Sequence, residues 1–342
     1  GGAVLAGHSN SQAGFGQDGW VLRVDRWGDR IWDRRVGGQG LDQIYGAVHS
    51  GDGALVLGGH TRSQGSGESD FWILKIDLEG RLLWESTFGG RGDDRARALT
   101  ATNSGHYALA GSTKSGDDPE GDAWLVLVDA QGRSRWERSF GGPGEDGLFH
   151  VAALSNGDLA AAGYTHTGPD TGFDLWVLRL TPEGEMRWQR RFHRGVFDAG
   201  TAAVPTADDG LLLAGVTSQD AFRRDKVWIL RLNRDGDLLW QKVLGGAKPD
   251  AAWAAAALPD NTYAVAAATA SYGGGSTDAW LFCLDDSGNL RWQRTYGGKL
   301  WDRPTAVASI AGGGIFLLGS TTSRGSGYED FWLLRLDARG RF

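Results

Sequence analysis

The stretch DFWILKIDLEGRLLWESTFGG, residues 70–90, returns in closely similar form as DAWLVLVDAQGRSRWERSFGG at 122–142 and DAWLFCLDDSGNLRWQRTYGG at 278–298. Its first half alternates with the period of two that is typical of a strand, and a short turn with glycine leads to a second strand. The same repeat continues with DRARALTAT at 94–102 and YALAGST at 107–113, joined by a short turn. One repeat therefore predicts four strands.

Tryptophans show that the repeat runs through the whole chain. A first series keeps an interval of 52 residues, as does a second, and together they account for 13 of the 16 tryptophans. The first series is Trp20, Trp72, Trp124, Trp176, Trp228, Trp280 and Trp332, and the second is Trp32, Trp84, Trp136, Trp188, Trp240 and Trp292. Each repeat leaves an apolar face that only its neighbours can cover, so the period predicts one continuous array.

The pattern predicts an all-β fold, because helical periodicity is absent and the chain contains 55 glycines. We predict a seven-bladed β-propeller of four-stranded blades, with residues 1–342 as a single domain. Wide tryptophan side chains suit the contacts between blades. A glycine stands at one turn position in every repeat, which predicts a positive φ there. These glycines are Gly28, Gly80, Gly132, Gly184, Gly236, Gly288 and Gly340.

Counting strand types predicts that the array is incomplete at its termini. The LAG and DxW strands each occur seven times, whereas the W...FGG strand and the following GGxxxD strand each occur six times. The chain is about 22 residues short of seven full repeats. We expect the full protein to supply an inner strand before Gly1 and an outer strand after Phe342, because incomplete blades expose pairing edges.

Composition excludes some classes of function. The formal net charge is -7, the pI is about 5.5, and the basic residues are dispersed, which argues against nucleic acid as a partner. Cys283 is the only cysteine, so neither an intramolecular disulfide nor a cysteine-based zinc site can form. No apolar stretch approaches the roughly 18 residues of a membrane-spanning helix. We predict no cofactor and no transmembrane segment.

The order of LxLD, a glycine turn, tryptophan and GG resembles the blade repeat of pyrroloquinoline quinone-type propellers. The chain is more similar, over its whole length, to secreted bacterial propellers with DxWLxKxDxxG...W.KTFGG repeats. That resemblance implies an extracellular or periplasmic location. The spacing from Asp77 through Gly80 to Trp84 is shorter than in the quinoprotein pattern, and adjacent cysteines are impossible with Cys283 alone. The shorter spacing makes the likeness to quinoproteins a distant one, and the lack of adjacent cysteines argues against a quinoprotein enzyme.

Two series of aspartates are predicted to lie on the loop-rich face. One comprises Asp42, Asp94, Asp146, Asp198, Asp250 and Asp302; the other comprises Asp18, Asp70, Asp122, Asp174, Asp278 and Asp330, with Lys226 at the remaining place. They could bind cations or a basic partner, or accept backbone N–H bonds within the glycine loops. We favour the second interpretation, because a group repeated in every blade serves the blade.

Individual metal candidates are few. The acidic loop Asp117, Asp118, Glu120 and Asp122 clusters oxygens that could bind calcium, but its spacing is not that of a known calcium loop. A solvated loop is the alternative that we favour. His8 and His60 occupy equivalent positions in neighbouring repeats, and without a third ligand they are better interpreted as packing or surface residues.

Residues that break the repeat are the better candidates for a binding site. Trp253 and Trp301 lie outside both tryptophan series. Other repeats carry Tyr45, Arg97 and Phe149 at the place of Trp253, and Phe197 at the place of Trp301. These residues predict an uneven aromatic mouth of a central channel, able to stack on sugars or receive an apolar protein anchor. Drift among packing residues is the alternative.

The fifth repeat deviates most. His193 and Arg194 replace the Gly-Gly pair, and Arg223 and Arg224 lie in a loop that is basic where other repeats carry Gly, Ser and Asp. This basic segment could meet an acidic partner, or it could be a divergent solvated loop.

We interpret the chain as a non-enzymatic scaffold that presents its loop-rich face to a protein or polysaccharide. A glycan-active or redox enzyme with a site at the channel mouth is one alternative, and a designed or amplified repeat protein without a ligand is another. The scaffold is preferred because the sequence shows no serine-histidine-acid spacing, no metal triad and no isolated carboxylate pair. Fold does not decide between them, since propellers host unrelated functions.

Overall fold

The computed structural model describes residues 2–9, 16–166, 168, 172–219, 224–310, 312–325 and 329–342. Within these residues lie 26 strands and one short 3₁₀ helix, Pro259–Asn261. The strands form successive sheets in chain order. The all-β propeller predicted from the repeat is confirmed.

Strands of the first three sheets are β1 (Ala3–Ser9), β2 (Asp18–Val24) and β3 (Arg30–Val36); β4 (Asp42–His49), β5 (Leu55–Thr61), β6 (Asp70–Ile76) and β7 (Leu82–Phe88); and β8 (Arg95–Ala101), β9 (Tyr107–Thr113), β10 (Asp122–Val128) and β11 (Ser134–Phe140). The next group comprises β12 (Asp146–Ala153), β13 (Leu159–His166), β14 (Phe173–Leu180) and β15 (Met186–Phe192).

Strands of the remaining sheets are β16 (Phe197–Pro205), β17 (Leu211–Ser218), β18 (Asp225–Leu232) and β19 (Leu238–Leu244); β20 (Asp250–Leu258), β21 (Thr262–Thr269), β22 (Asp278–Asp285) and β23 (Leu290–Tyr296); and β24 (Asp302–Ile310), β25 (Gly314–Thr321) and β26 (Asp330–Leu336). A single parallel pair, Phe173 with Phe197, links β14 to β16.

The prediction of seven four-stranded blades is wrong. The structure has five blades of four strands, β4–β7, β8–β11, β12–β15, β16–β19 and β20–β23, whereas the sheets β1–β3 and β24–β26 have three strands each. Tryptophan spacing counts repeats, but a complete blade needs all four strand types. The described chain supplies no GGxxxD strand to the first sheet and no W...FGG strand to the last.

The chain divides into two compact units. The first consists of Gly1–Ala161, Thr165–Gly168 and Arg179–Arg187. The second consists of Ala162–Tyr164, Pro169–Leu178 and Trp188–Phe342. The boundary between them passes through the sheet β12–β15.

Apolar residues of neighbouring blades pack against each other inside each unit. In the first unit, Phe71 and Ile73 of β6 share a core with Leu109 and Val126 of the next blade. Trp72, Trp124 and Trp280 of the first series belong to such cores, and Trp72, Trp176 and Trp228 are almost completely buried. Their indole nitrogens keep polar partners, as when Trp72 Nε1 donates to Glu85 on the adjacent strand at 3.1 Å. The first series is therefore structural.

Tryptophans of the second series lie on the glycine turn of the following blade. Trp136 Nε1 donates to the Pro182 carbonyl at 2.9 Å, and Trp188, one repeat later, donates to the Arg234 carbonyl at 3.0 Å. In each pair, a Cβ added to the turn glycine would meet the tryptophan ring within 3.2 Å. The pairs are Gly80 with Trp32, Gly132 with Trp84, Gly184 with Trp136, Gly236 with Trp188, Gly288 with Trp240, and Gly340 with Trp292.

Buried cations form a second regular feature of the blades. Lys75, Arg179 and Arg231 occupy one register position of the DxW strand, and each is almost fully buried. Lys75 pairs with Asp52 at 2.6 Å, Arg179 with Asp158 at 2.9 Å, and Arg231 with Asp208 at 2.7 Å. Leu127 and Cys283 stand at the same register position in two other repeats. An apolar residue is therefore compatible with this place in the blade.

Candidate functional site

Carboxylates of the first aspartate series hold the loops together. The Asp94 carboxylate accepts the Gly90 N–H at 2.9 Å and the Ser115 hydroxyl at 2.7 Å, and it also bonds Thr113. All six members are buried and accept at least one backbone N–H. The structural interpretation of this series is confirmed.

The two aspartate series meet at the first glycine of the Gly-Gly pair. A Cβ added at Gly89 would lie 2.3 Å from Asp70 Oδ1 and 2.6 Å from Asp94 Oδ2, and Gly141 and Gly297 have equivalent neighbours. Burial raises the pKa of Asp70, and the Asp94 charge adds to this effect although backbone N–H groups oppose it. Each such glycine therefore leaves a small space between two carboxylates.

The GGxxxD strands β4, β8, β16, β20 and β24 share one backbone feature. The register of each with the strand that follows it shifts at a single residue, which is Tyr45, Arg97, Thr201, Trp253 or Thr305. A β-bulge inserts one extra residue and re-aims its side chain. Residues at this place can therefore vary without disturbing the pairs on either side.

Tyr45 lies at the centre of a polar and aromatic cluster in the first unit. The Arg97 guanidinium lies 5.0 Å from the centre of the Tyr45 ring and donates to its hydroxyl at 2.8 Å. His60 stacks on the same ring with centroids 5.6 Å apart, and the His8 ring is 5.9 Å away. His60 is buried, as a packing residue would be, whereas His8 is half-buried. Phe149, also in this unit, is half-buried.

Trp253 and Trp301 are exposed in the second unit, with 41% and 55% of their surface accessible. The Arg303 guanidinium lies 5.2 Å from the centre of the Trp253 ring. Trp301 forms a bridge with Thr277 and follows the half-exposed Leu300. Phe197, in contrast, is partly buried and packs edge-on against Phe173. Among these three aromatic residues, the two tryptophans are exposed for contact with a partner, whereas Phe197 also packs against its neighbour.

The basic segment of the fifth repeat is partly described. His193, Arg194 and Arg224 are exposed, and Arg223 lies outside the described residues. His193 Nδ1 lies 2.8 Å from Asp174 Oδ1, and the Arg194 N–H donates to Asp198 at 2.6 Å. His193 therefore faces carboxylates of its own chain.

The acidic loop has a different arrangement. Asp118 accepts the Glu120 N–H at 2.8 Å and the Gly144 N–H at 3.2 Å, so its carboxylate organises the backbone. Burial raises the pKa of Asp122, and the charges of Asp118, Asp146 and Asp117 add to this effect. Within the described part of the chain, Asp117, Asp118, Glu120 and Asp122 do not form a compact group of three ligand atoms.

Asp174, His193 and Asp198 do form such a group, with one potential ligand atom from each residue and all three atoms within 4.8 Å of one another. Sequence reasoning identified each residue separately but not the group. The sequence shows only that His193 replaces a glycine of the repeat, and the structure is needed to place that position between two aspartates.

The pH dependence of stability should report on the buried His60. Burial lowers the pKa of His60 to about 4, and Arg97 and Arg95 act in the same direction while the Ala96 carbonyl opposes them. Between about pH 4 and the unfolded pKa near 6.5, the unfolded chain binds the extra proton, so stability falls as pH drops through this window.

Urea unfolding across that window should therefore show a smaller slope of stability against pH in His60→Gln than in the wild type, by up to about 1.4 kcal/mol per pH unit. The exposed His49 provides the matched control, His49→Gln. Equal slopes for His60→Gln and wild type would contradict the assignment.

The described residues contain no helix long and apolar enough to cross a membrane. No family model matches the chain. The regulatory protein FlaEY of Caulobacter vibrioides is 27% identical over 139 residues, an alignment that covers 34% of this chain and 15% of that protein. The chain thus spans about 15% of the length of this curated relative.

Solved propeller structures are similar over most of the chain. Sqt1 of Chaetomium thermophilum, bound to the N-terminus of ribosomal protein L10, aligns with a TM-score of 0.55 at 15% identity, covering 98% of this chain and 82% of that chain. The Pan2 WD40 domain of Neurospora crassa gives a TM-score of 0.54 at 13% identity, covering 92% and 86%. A puromycin hydrolase mutant gives 0.59 at 16% identity, covering 99% and 51%. At these identities the likeness establishes the β-propeller fold alone.

Proposed function

We propose that the chain is a non-enzymatic interaction scaffold that binds a protein partner through a surface of its second unit, around the exposed Trp253 and Trp301. The observation that carries the proposal is the bulge at Trp253, whose exposed indole breaks a regular repeat. A side chain that a bulge re-aims is free to serve contact instead of blade packing.

The residue types at these positions favour a protein over a polysaccharide. Trp253, Trp301 and Arg303 are exposed in the second unit, and tryptophan and arginine are among the residue types that contribute most to protein interface energies. Arg303 lies over one face of the Trp253 ring, which leaves less of that ring for stacking on a flat sugar.

Two further points support the proposal. The structurally similar Sqt1 is bound to a ribosomal protein segment, which gives a propeller of related shape a role in binding protein. The resemblance to secreted bacterial propeller repeats supports an extracellular or periplasmic location for this scaffold. That location can be checked by fractionating cells that express the full-length protein.

Affinity capture with the purified chain, followed by mass spectrometry, identifies proteins that bind it. Calorimetry with the identified partner then measures the affinity and tests the proposed binding surface. We expect Trp253→Ala to weaken binding of one specific protein at least tenfold, the effect of about 1.4 kcal/mol from one contact residue. Trp27→Ala is the matched control, because Trp27 is 73% exposed in the turn between β2 and β3.

Equal binding by the wild type and by Trp253→Ala and Trp301→Ala variants would contradict the proposed surface. A glycan array probed with the same proteins tests for a polysaccharide partner. Binding to glycans that Trp253→Ala abolishes, with no protein captured, would replace the protein partner by a polysaccharide.

A further inference from the structure

His193 occupies a place that most repeats reserve for glycine. At the equivalent Gly141, an added Cβ would lie 2.2 Å from Asp122 Oδ1 and 2.5 Å from Asp146 Oδ2. Two carboxylates thus converge on this position, one from β10 and one from β12 of the next blade. In the repeat that contains His193 the converging residues are Asp174 and Asp198, so an imidazole is added to an existing pair of carboxylates.

In the next repeat a lysine replaces one of the two carboxylates. Lys226 stands where other repeats carry an aspartate, and its ammonium lies 3.7 Å from the Asp250 carboxylate. In that repeat Lys226 therefore replaces one carboxylate of the pair and places a positive charge beside the other. A bound cation would have the same electrostatic effect at Asp174 and Asp198.

The Asp198 carboxylate is completely buried, and its Oδ1 has no hydrogen-bond partner among the described residues. In four other repeats the corresponding oxygen accepts a threonine hydroxyl: Thr61 bonds Asp42, Thr113 bonds Asp94, Thr269 bonds Asp250 and Thr321 bonds Asp302. Thr217 stands at the matching place, and its hydroxyl also has no partner in the described part of the chain. Asp198 and Thr217 are partners in the strand register, so either this hydroxyl or a ligand bound to the carboxylate would satisfy the buried oxygen.

The second oxygen of Asp198 is held firmly. Asp198 Oδ2 accepts the N–H groups of Arg194 at 2.6 Å and Gly195 at 2.8 Å. Hydrogen bonds of this kind orient a ligating carboxylate and fix its position before a metal binds. Asp174 is buried, whereas His193 is open to solvent, so an ion can reach the group from the His193 side.

We propose that Asp174, His193 and Asp198 form a mononuclear site for a divalent transition metal. Imidazole nitrogen and carboxylate oxygen are both Zn²⁺ ligands, and three protein ligands leave a fourth position for a water. Mixed nitrogen and oxygen donors favour such a metal over Ca²⁺, which prefers six to eight oxygens. The sites at Gly89, Gly141 and Gly297 lack the imidazole, so the repeat with His193 is distinct from these three.

Calorimetric titration of the untagged chain with Zn²⁺ tests the site. The wild type should bind about one equivalent of Zn²⁺ with a dissociation constant in the micromolar range or below. His193→Gly should weaken this binding at least 100-fold, because one of the three residues that contact the metal is lost. His193→Gly restores the residue that most other repeats carry, so it should fold like the wild type. His49→Ala, which removes an exposed histidine elsewhere, is the matched control and should bind like the wild type.

Co²⁺ provides a second, spectroscopic readout of the same site. Wild type and His49→Ala should develop visible ligand-field absorption on adding Co²⁺, whereas His193→Gly should not. Failure of the wild type to bind either metal would overturn the proposal, as would unchanged Zn²⁺ affinity in His193→Gly. Either result leaves the proposed partner surface at Trp253 untouched, because that surface is measured by partner binding.

Discussion

Asp158→Ala should destabilise the protein by about 4 kcal/mol, because it leaves a buried guanidinium without its carboxylate. Asp158 is fully buried and Arg179 is 3% exposed, with 2.9 Å between Arg179 Nε and Asp158 Oδ2. Arg187 reaches the same oxygen at 2.8 Å, but its side chain is half-exposed and can return to water. The loss is therefore expected from Arg179, and urea denaturation at pH 7 measures it.

The paired replacement Asp158→Leu with Arg179→Leu should recover most of this loss. Desolvation of two ions offsets their attraction, so well-packed apolar side chains can replace a buried pair at little cost. Leu127 already stands at the register position of Arg179 in another repeat. A double variant that is as unstable as Asp158→Ala would show that shape or hydrogen bonding, not the uncompensated charge, causes the loss.

Acid titration gives an independent check of Asp158. Burial alone raises the pKa of this carboxyl group, but hydrogen bonds from Asn156, Arg187 and Arg179 outweigh that effect and hold the pKa below its ordinary value. The contribution of Asp158 is therefore present above its unfolded pKa of about 4 and is lost as the pH falls through the lower folded pKa. The double variant should lack this part of the acid sensitivity.

Local pattern predicted the strands well because alternation and turn residues act over short distances. The predicted strand at 107–113 is β9, Tyr107–Thr113, and the predicted stretch 94–102 contains β8, Arg95–Ala101. All seven turn glycines have positive φ, from +67° at Gly340 to +95° at Gly28. Both features depend on a few neighbouring residues, so one sequence suffices to predict them.

Features that join distant residues could not be predicted in the same way. The number of complete blades depends on which strands pair, and tryptophan spacing does not count them. The Trp136 indole bonds a carbonyl 46 residues later, which only the packing of one blade on the next determines. The group of Asp174, His193 and Asp198 was missed for the same reason, because nothing local shows that the glycine position lies between two carboxylates.

The contact between tryptophan and turn glycine should also contribute strongly to stability. Gly132 has φ of +78°, and a Cβ added there would lie 2.6 Å from Trp84 Cζ3. Gly132→Ala therefore combines an unfavourable backbone conformation with a collision against a packed ring. We expect a loss of about 3 kcal/mol in the free energy of unfolding, about 1 from the backbone and about 2 from the displaced ring.

Gly105→Ala separates these two causes. Gly105 has nearly the same φ, +77°, yet nothing lies within 4 Å of an added Cβ. The control should lose only the backbone contribution, about 1 kcal/mol. In a double-mutant cycle, Trp84→Ala should remove the excess cost of Gly132→Ala, because the ring that the new methyl group meets is then absent. Equal losses at Gly132 and Gly105 would mean that the turn glycines are needed for backbone conformation alone, and that the second tryptophan series could pack equally well on a turn with a side chain.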